Sequence, residues 1–334
     1  MRVAHLPFCG LAVLLAACDP QVAAEGTAAA AKGEPSTGEL CVSSACGEAV
    51  VLVDVPDAEN ILFGPGGRLF VSGGRNVYQI SKAAEGTFSA RPLSAQTCNF
   101  TGMAIHRNHL YASCADSRLF AGKLDHDIAL AEIYRFTGMC IPNGTAVGPD
   151  GRLYVVDEPL NCEQADPKIV ALTLDQADPL KVLAQETWLQ GSPTGLLWVG
   201  QDSVLRFPNG LVRDGNTFYG TDGGSVFSVA VGDDGAAGEV TPLFFEPTAH
   251  DDLGLAGADG LIVTDFFKGR ILLLARDGTL LQETLPGTFV EPSSVRLGQR
   301  PMFEPTDILV TDKGVITEQD LPLDHLVLFR RKPG

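Results

Sequence analysis

Basic residues are scarce in this 334-residue chain. Lysine and arginine number 24 against 41 aspartates and glutamates, for a formal net charge of −17. A surface that neutralises phosphates needs clustered basic side chains, so nucleic acid is excluded as a partner. The same deficit argues against adsorption to anionic lipid through a basic face. Tryptophan is nearly missing; Trp188 and Trp198 stand alone and recur with no repeat, which speaks against a quinone-dependent dehydrogenase. There is no Gly-x-Ser-x-Gly stretch and no strand–helix alternation, so a nucleophilic serine hydrolase is disfavoured. No Cys-x-x-Cys or Cys-x-x-His spacing occurs, which leaves no zinc site to propose. No apolar run reaches the roughly 20 residues that cross a bilayer as a helix.

The apolar run at 6–17 is too short to span, follows Met1-Arg2, and ends in Leu15-Ala16-Ala17-Cys18. It reads as a secretory signal peptide over residues 1–17. The four-residue ending resembles the bacterial lipobox, in which the cysteine is acylated. That resemblance implies lipidation of Cys18, attachment to a membrane through it, and a place in the bacterial cell envelope, periplasmic or at the surface. Residues 18–48 hold an alanine-rich stretch and a Lys-Gly-Glu-Pro-Ser-Thr-Gly run without apolar period, and are expected to be the lipidated cysteine and a flexible tether. Six cysteines remain beyond Cys18, an even number that suits disulfides in an oxidising compartment. Spacing favours Cys41 with Cys46; the pairing of Cys98, Cys114, Cys140 and Cys162 stays open.

What is abundant is turn chemistry, with 37 glycines and 21 prolines, arranged in a repeat. An apolar strand, a Gly/Asp turn and an apolar-aromatic strand recur, most clearly as Thr145-Ala146-Val147-Gly148-Pro149-Asp150-Gly151-Arg152-Leu153-Tyr154-Val155-Val156-Asp157. With Leu69, Leu110, Leu153, Phe218, Leu261 and Ile308 as markers, the intervals are 41, 43, 65, 43 and 47 residues. Spacing of this kind, with short β-type runs and no long helix, predicts an all-β fold over 49–331. It is a six-bladed β-propeller with four-stranded antiparallel blades. The long interval implies an insertion of about 20 residues between Gln176 and Leu205. The run near Val50–Val53 lacks a blade of its own and is expected to complete the sheet of the C-terminal run His325-Leu326-Val327-Leu328-Phe329, sealing the ring.

Nine or ten residues before each marker, ahead of the channel-lining first strand, stand Glu59, Thr101, Asn143, Asn209 and Asp252, with Ser293 for the sixth blade. All six carry side-chain oxygen, and in a propeller equivalent positions converge on the axis. Calcium takes six to eight oxygen ligands, so the set suits Ca2+ or another divalent cation. Asn-Gly is also a hairpin signal on its own, but Asn143-Gly144 and Asn209-Gly210 each follow proline and precede the inner strand.

Glu59-Asn60, Pro142-Asn143-Gly144, Pro208-Asn209-Gly210, and Asp252 followed by Gly257-Ala258-Asp259-Gly260 resemble, in chain order, the metal-binding stations of the gluconolactonase and regucalcin family, and more distantly of paraoxonase and strictosidine synthase. The resemblance covers about residues 50–331. It implies calcium ligands at Glu59, Asn209 and Asp252, with Asn143 binding substrate or metal, and a lactone or other carboxylic ester as substrate; Thr101, at the same phase of blade two, is expected to bind substrate as well. Ile141 departs from the arginine of regucalcin-like members, Leu253 from the usual glycine, and Glu158 only lies near the expected substrate-contacting glutamate. For the proton transfer the candidates are Asp252, its neighbour Asp251, and His250. The chain is expected to act as a monomer. The alternative is a propeller of the same build that binds a ligand or partner without catalysis.

Overall fold

The computed structural model describes residues 35–160, 162–163, 166–192, 204–313 and 324–332. The signal sequence, Cys18 and most of the tether lie outside them, as does 193–203 within the expected insertion. Six four-stranded antiparallel sheets follow one another along the chain. Two three-residue 3-10 turns are the only helical elements among the described residues.

The innermost strands are Ile61–Gly64, Phe100–His106, Ile141–Val147, Pro208–Asp214, His250–Ala256 and Pro292–Leu297. Each packs against the innermost strands of the two neighbouring blades, which closes a ring around a central channel. The sixth blade takes its outer strand from the start of the domain. Gly47–Asp54 pairs antiparallel with His325–Arg331, Val50 opposite Leu328, so ring closure joins the two ends of the domain.

The repeat is a local object, and local chemistry explains it. In blade two the inner and second strands join through Arg107 and Asn108, both with positive φ (45° and 60°), the backbone of a tight two-residue hairpin. The second strand of each blade is almost wholly buried because blades lie face to face. Tyr154, Val156 and Ile169 of blade three pack on Leu211, Phe218 and Phe227 of blade four. The Tyr154 and Phe218 rings stand 4.7 Å apart. Truncating one such side chain costs about 3–5 kcal/mol, so the core is shared between blades and not owned by any one.

Two expectations need correction. Residues 35–46 do not behave as part of a flexible tether; they form a packed strap. Leu40 and Val42 are buried among blades five and six. The Val42 amide donates to Gln282 Oε1 at 3.0 Å, and the Gln282 amide donates to the Leu40 carbonyl at 3.3 Å. The Cys41–Cys46 disulfide staples its turn. The other cysteines pair inside single blades, Cys98 with Cys114 and Cys140 with Cys162. The insertion is partly ordinary blade, because Val182–Gln190 is the outer strand of blade three.

Candidate functional site

At one level of the ring, the inner strand of five blades leaves its ladder with the second strand. The unpaired residues are Thr101-Gly102, Asn143-Gly144, Asn209-Gly210, Asp251-Asp252 and Ser293. Bulges of this kind re-aim side chains and gather next to functional sites. In four of these blades they bring a polar residue, Thr101, Asn143, Asn209 or Asp251, to the central cavity.

The glycine that follows is there for close approach between blades, and neither Asn-Gly pair is a turn. A Cβ on Gly102 would stand 2.1 Å from the Asn143 carbonyl oxygen, and one on Gly144 2.3 Å from that of Asn209. Hydroxyls from the second strands staple the same level across blade boundaries. Ser72 donates to the Thr101 carbonyl at 2.5 Å. Thr221 donates to the Asp251 carbonyl at 2.7 Å, and Thr311 to that of Glu59 at 2.8 Å. Aspartates at or near the ends of second strands hold the loops entering the inner strands; Asp157 Oδ1 accepts from the Cys140 and Ile141 amides at 2.7 and 3.1 Å. Thr221-Asp222 and Thr311-Asp312, which close the second strands of blades four and six, and Asp157 of blade three are therefore a framework of the ring and not its chemistry.

A cavity of about 290 Å³ opens at this level, and among the described residues its polar end is Glu59, Asn143, Glu158, Asn209, Asp251 and Lys313. Three expected residues, Glu59, Asn143 and Asn209, line it with their functional groups. Thr101 lines it too, but its hydroxyl already donates to the Pro142 carbonyl at 2.5 Å. Ser293 does not line it; its hydroxyl sits 2.7 and 2.9 Å from the Ala58 and Glu59 carbonyls.

Asp252 gives way to Asp251. Counting back from the marker strand missed the bulge, and one residue of slip moves a side chain to the opposite face. Asp252 lies between blades, its Oδ2 2.9 Å from Arg296 Nη1 and accepting from Asn60 at 3.2 Å and Ser294 at 2.6 Å. Asp251 faces the cavity and accepts from Asn209 Nδ2 at 2.5 Å.

Two residues complete the site beyond the expected set. Glu158 ends the second strand of blade three and accepts from Asn143 Nδ2 at 3.0 Å. Burial, the dominant influence, pushes its carboxyl up to about 7, against the lowering effect of that hydrogen bond. Lys313 follows the second strand of blade six; its ammonium is ion-paired with Glu59 and lies 3.4 Å from Asp57. Burial also raises Glu59, with the lysine as the offsetting influence, and raises Asp251 well above the carboxylate range, with the negative charge of Glu59 adding to it. His250 lines the cavity but is buried, which pushes it down to about 4, and its Nδ1 lies 3.3 Å from the Thr264 carbonyl. It is neutral at pH 7.

The fit to a cation follows from these charges. Three buried carboxylates, two carboxamides and one ammonium share the cavity, so two negative charges stand uncompensated when all are ionised. One divalent ion balances them, with oxygen donors of the type calcium uses. No three acidic side chains among the described residues close on one point. The one group of three ligand-type side chains that does so among the described residues is Cys98, Cys114 and Asp116, and its sulfurs are spent on a disulfide.

No protein-family model matches this chain, and no curated protein matches it in sequence. Solved structures do match. A gluconolactonase of Xanthomonas campestris is 18% identical, covers 90% of this chain and 94% of its own, and superposes with a TM-score of 0.63. A calcium-binding protein, regucalcin, of Agrobacterium tumefaciens is 14% identical over 84% of this chain and 92% of its own, with a TM-score of 0.60. A luciferin-regenerating enzyme is 13% identical over 85% and 94%, also at 0.60. The six-bladed architecture is thus the one expected from the resemblance, and at these identities the likeness is one of fold.

Proposed function

We propose that this protein is a divalent-cation-dependent hydrolase of lactones or related carboxylic esters, with calcium as the first candidate ion. The observation that carries this reading is the gathering at the axis of three buried carboxyls and two carboxamides around one ammonium, with Asn143, Asn209 and Asp251 brought there by matched bulges in successive blades. Glu59, Asn143, Asn209 and Asp251 would hold the ion. When bound, such an ion polarises an ester carbonyl and stabilises the negative charge that develops on its oxygen.

The chain's own groups do the remaining work. Glu158 is the acid–base group, because a carboxyl near 7 exchanges protons at working pH. Asn143 fixes it through the 3.0 Å hydrogen bond. As its carboxylate, Glu158 takes a proton from the attacking water while the water oxygen bonds to the carbonyl carbon. As its acid, it returns that proton to the leaving alkoxide when the ester C–O bond breaks. His250, pushed down to about 4, is too weak a base for this step.

A second reading has one observation in its favour. Lys313 already pairs with Glu59, and a ring that supplies its own cation suits ligand binding without catalysis. Calorimetric titration of calcium chloride into the purified full-length chain, beside Asn209→Ala and Asp251→Asn, separates the two. Saturable one-site binding lost in both variants, with chelator-sensitive turnover in a lactone panel, supports the hydrolase. A folded wild type that binds no divalent ion sinks it and leaves the binding propeller.

Cys18 as a lipid anchor in a bacterial envelope belongs to the same proposal. Pro35 touches Gly257, at the end of His250–Ala256 opposite Asp251 and about 20 Å away. Labelled palmitate incorporation that is lost in Cys18→Ser is the test.

A further inference from the structure

We infer that the substrate carries an alkyl or aryl chain, and that the cavity takes an apolar lactone or ester in preference to a hydroxyl-rich sugar lactone. The inference rests on the hydrolase reading above and narrows its substrate. The cavity has two chemistries. Its buried end is ionic, whereas its mouth is lined by Ile141, Leu160, Phe207, Phe266 and Phe267.

The exposure of these side chains is the informative part. Leu160 is 45% and Phe267 65% exposed, and Phe267 is the only aromatic ring among the exposed large hydrophobics of the described residues. It sits at the turn between the second and third strands of blade five, where polar residues are the rule. One exposed ring alone would be ordinary, but Phe267 shares the cavity lining with exposed Leu160, and apolar side chains exposed together mark a binding surface. Phe266 backs it edge-on at 5.6 Å, fixing its place at the rim.

Among the described residues, the same wall offers a sugar one uncommitted polar side chain near the mouth, Asn99. Recognition of several hydroxyls needs free donors and acceptors along the wall, and unmatched hydroxyls pressed on apolar surface lose their water without return. The Thr101 hydroxyl is committed to the Pro142 carbonyl and the Thr248 hydroxyl to Asp265. Volume does not choose between the two substrates, since glucono-δ-lactone and a hexyl γ-lactone carry the same number of heavy atoms. Polarity does.

The experiment is a γ-lactone series with side chains from methyl to hexyl, beside glucono-δ-lactone, on the full-length chain with calcium chloride. We expect kcat/KM to climb about fourfold per methylene over the first few carbons, the gain of burying each one. Phe267→Ser should flatten that climb, and this exposed position tolerates serine. A flat series, or preference for the sugar lactone, overturns the inference and leaves the hydrolase reading standing. Turnover of no lactone overturns the hydrolase reading instead. Calorimetry with a hexyl-substituted lactam against its unsubstituted parent then decides the cavity's preference, equal affinities overturning it.

Discussion

Lys313 and a bound divalent ion would compete for the same carboxylate, and that competition can be measured. An ammonium sits about 2.8 Å from a carboxylate oxygen and calcium about 2.4 Å, so sharing Glu59 leaves the two cations roughly 5 Å apart. A single and a double positive charge at that separation repel by roughly 1.7 kcal/mol at the dielectric of water and by roughly 6.6 at an effective value of 20. The site is mostly buried, with the Lys313 side chain 16% exposed, so the lower figure is a floor. Each 1.4 kcal/mol is a factor of ten. Lys313→Met, which keeps most of the volume, is therefore expected to tighten calcium binding at least tenfold by calorimetry. The same change strips the only ammonium from three buried carboxylates, so the metal-free fold should lose about 3 kcal/mol. Thermal melts in chelator should fall below wild type, and melts in saturating calcium should recover more than wild type gains. Lys313→Gln offers the same loss of charge with a polar tip should the methionine variant not fold. Calcium affinity unchanged or weaker in a folded variant would refute the placement of the ion on Glu59.

Asp251→Asn should abolish calcium binding while leaving the metal-free melt unchanged or raised, since it relieves buried like charge. Asp252→Ala should instead cost about 3 kcal/mol, because it strands Arg296 without its partner; if calorimetry and melts exchange these outcomes, Asp252 is the axial residue after all. Glu158, raised from 4.5 to about 7, keeps a proton in the folded state that the unfolded chain releases. Its contribution to metal-free stability is whole below about pH 4.5 and falls by about 3 kcal/mol as pH rises through 7. His250, pushed down to about 4, works in the opposite direction over part of that range. The test is therefore the difference between wild type and Glu158→Gln in urea midpoints with chelator, which should shrink toward acid; a difference independent of pH would refute it. Gly144→Ala drives a Cβ onto the Asn209 carbonyl and should cost at least about 2 kcal/mol in a denaturant melt; a neutral change would show that the blades can part at this level.

The spacing of Leu69, Leu110, Leu153, Phe218, Leu261 and Ile308 was enough to read the architecture. A blade is built from strands adjacent in sequence, so its period survives in the chain. The closing pair was legible for the same reason, as a first strand without a blade and a last blade short of a strand. Glu59, Asn143 and Asn209 were legible because the blades repeat their phase.

Tertiary structure decided the rest. Asp251 takes the place expected of Asp252 because a bulge shifts the strand by one residue, and no hydropathy pattern records a bulge. Glu158 enters the site as the residue just past the recurring aspartate of blade three, a position marked in sequence only by the adjacent acid pair Asp157-Glu158. Lys313 carries no signal in the repeat; it reaches Glu59 across ring closure, 254 residues away along the chain. The strap at 35–46 has no apolar period, and it is ordered by hydrogen bonds and burial supplied by blades five and six. Sequence determined what repeats with the blade. The closed ring determined which side chains meet at its axis, because convergence there joins residues that no local pattern connects.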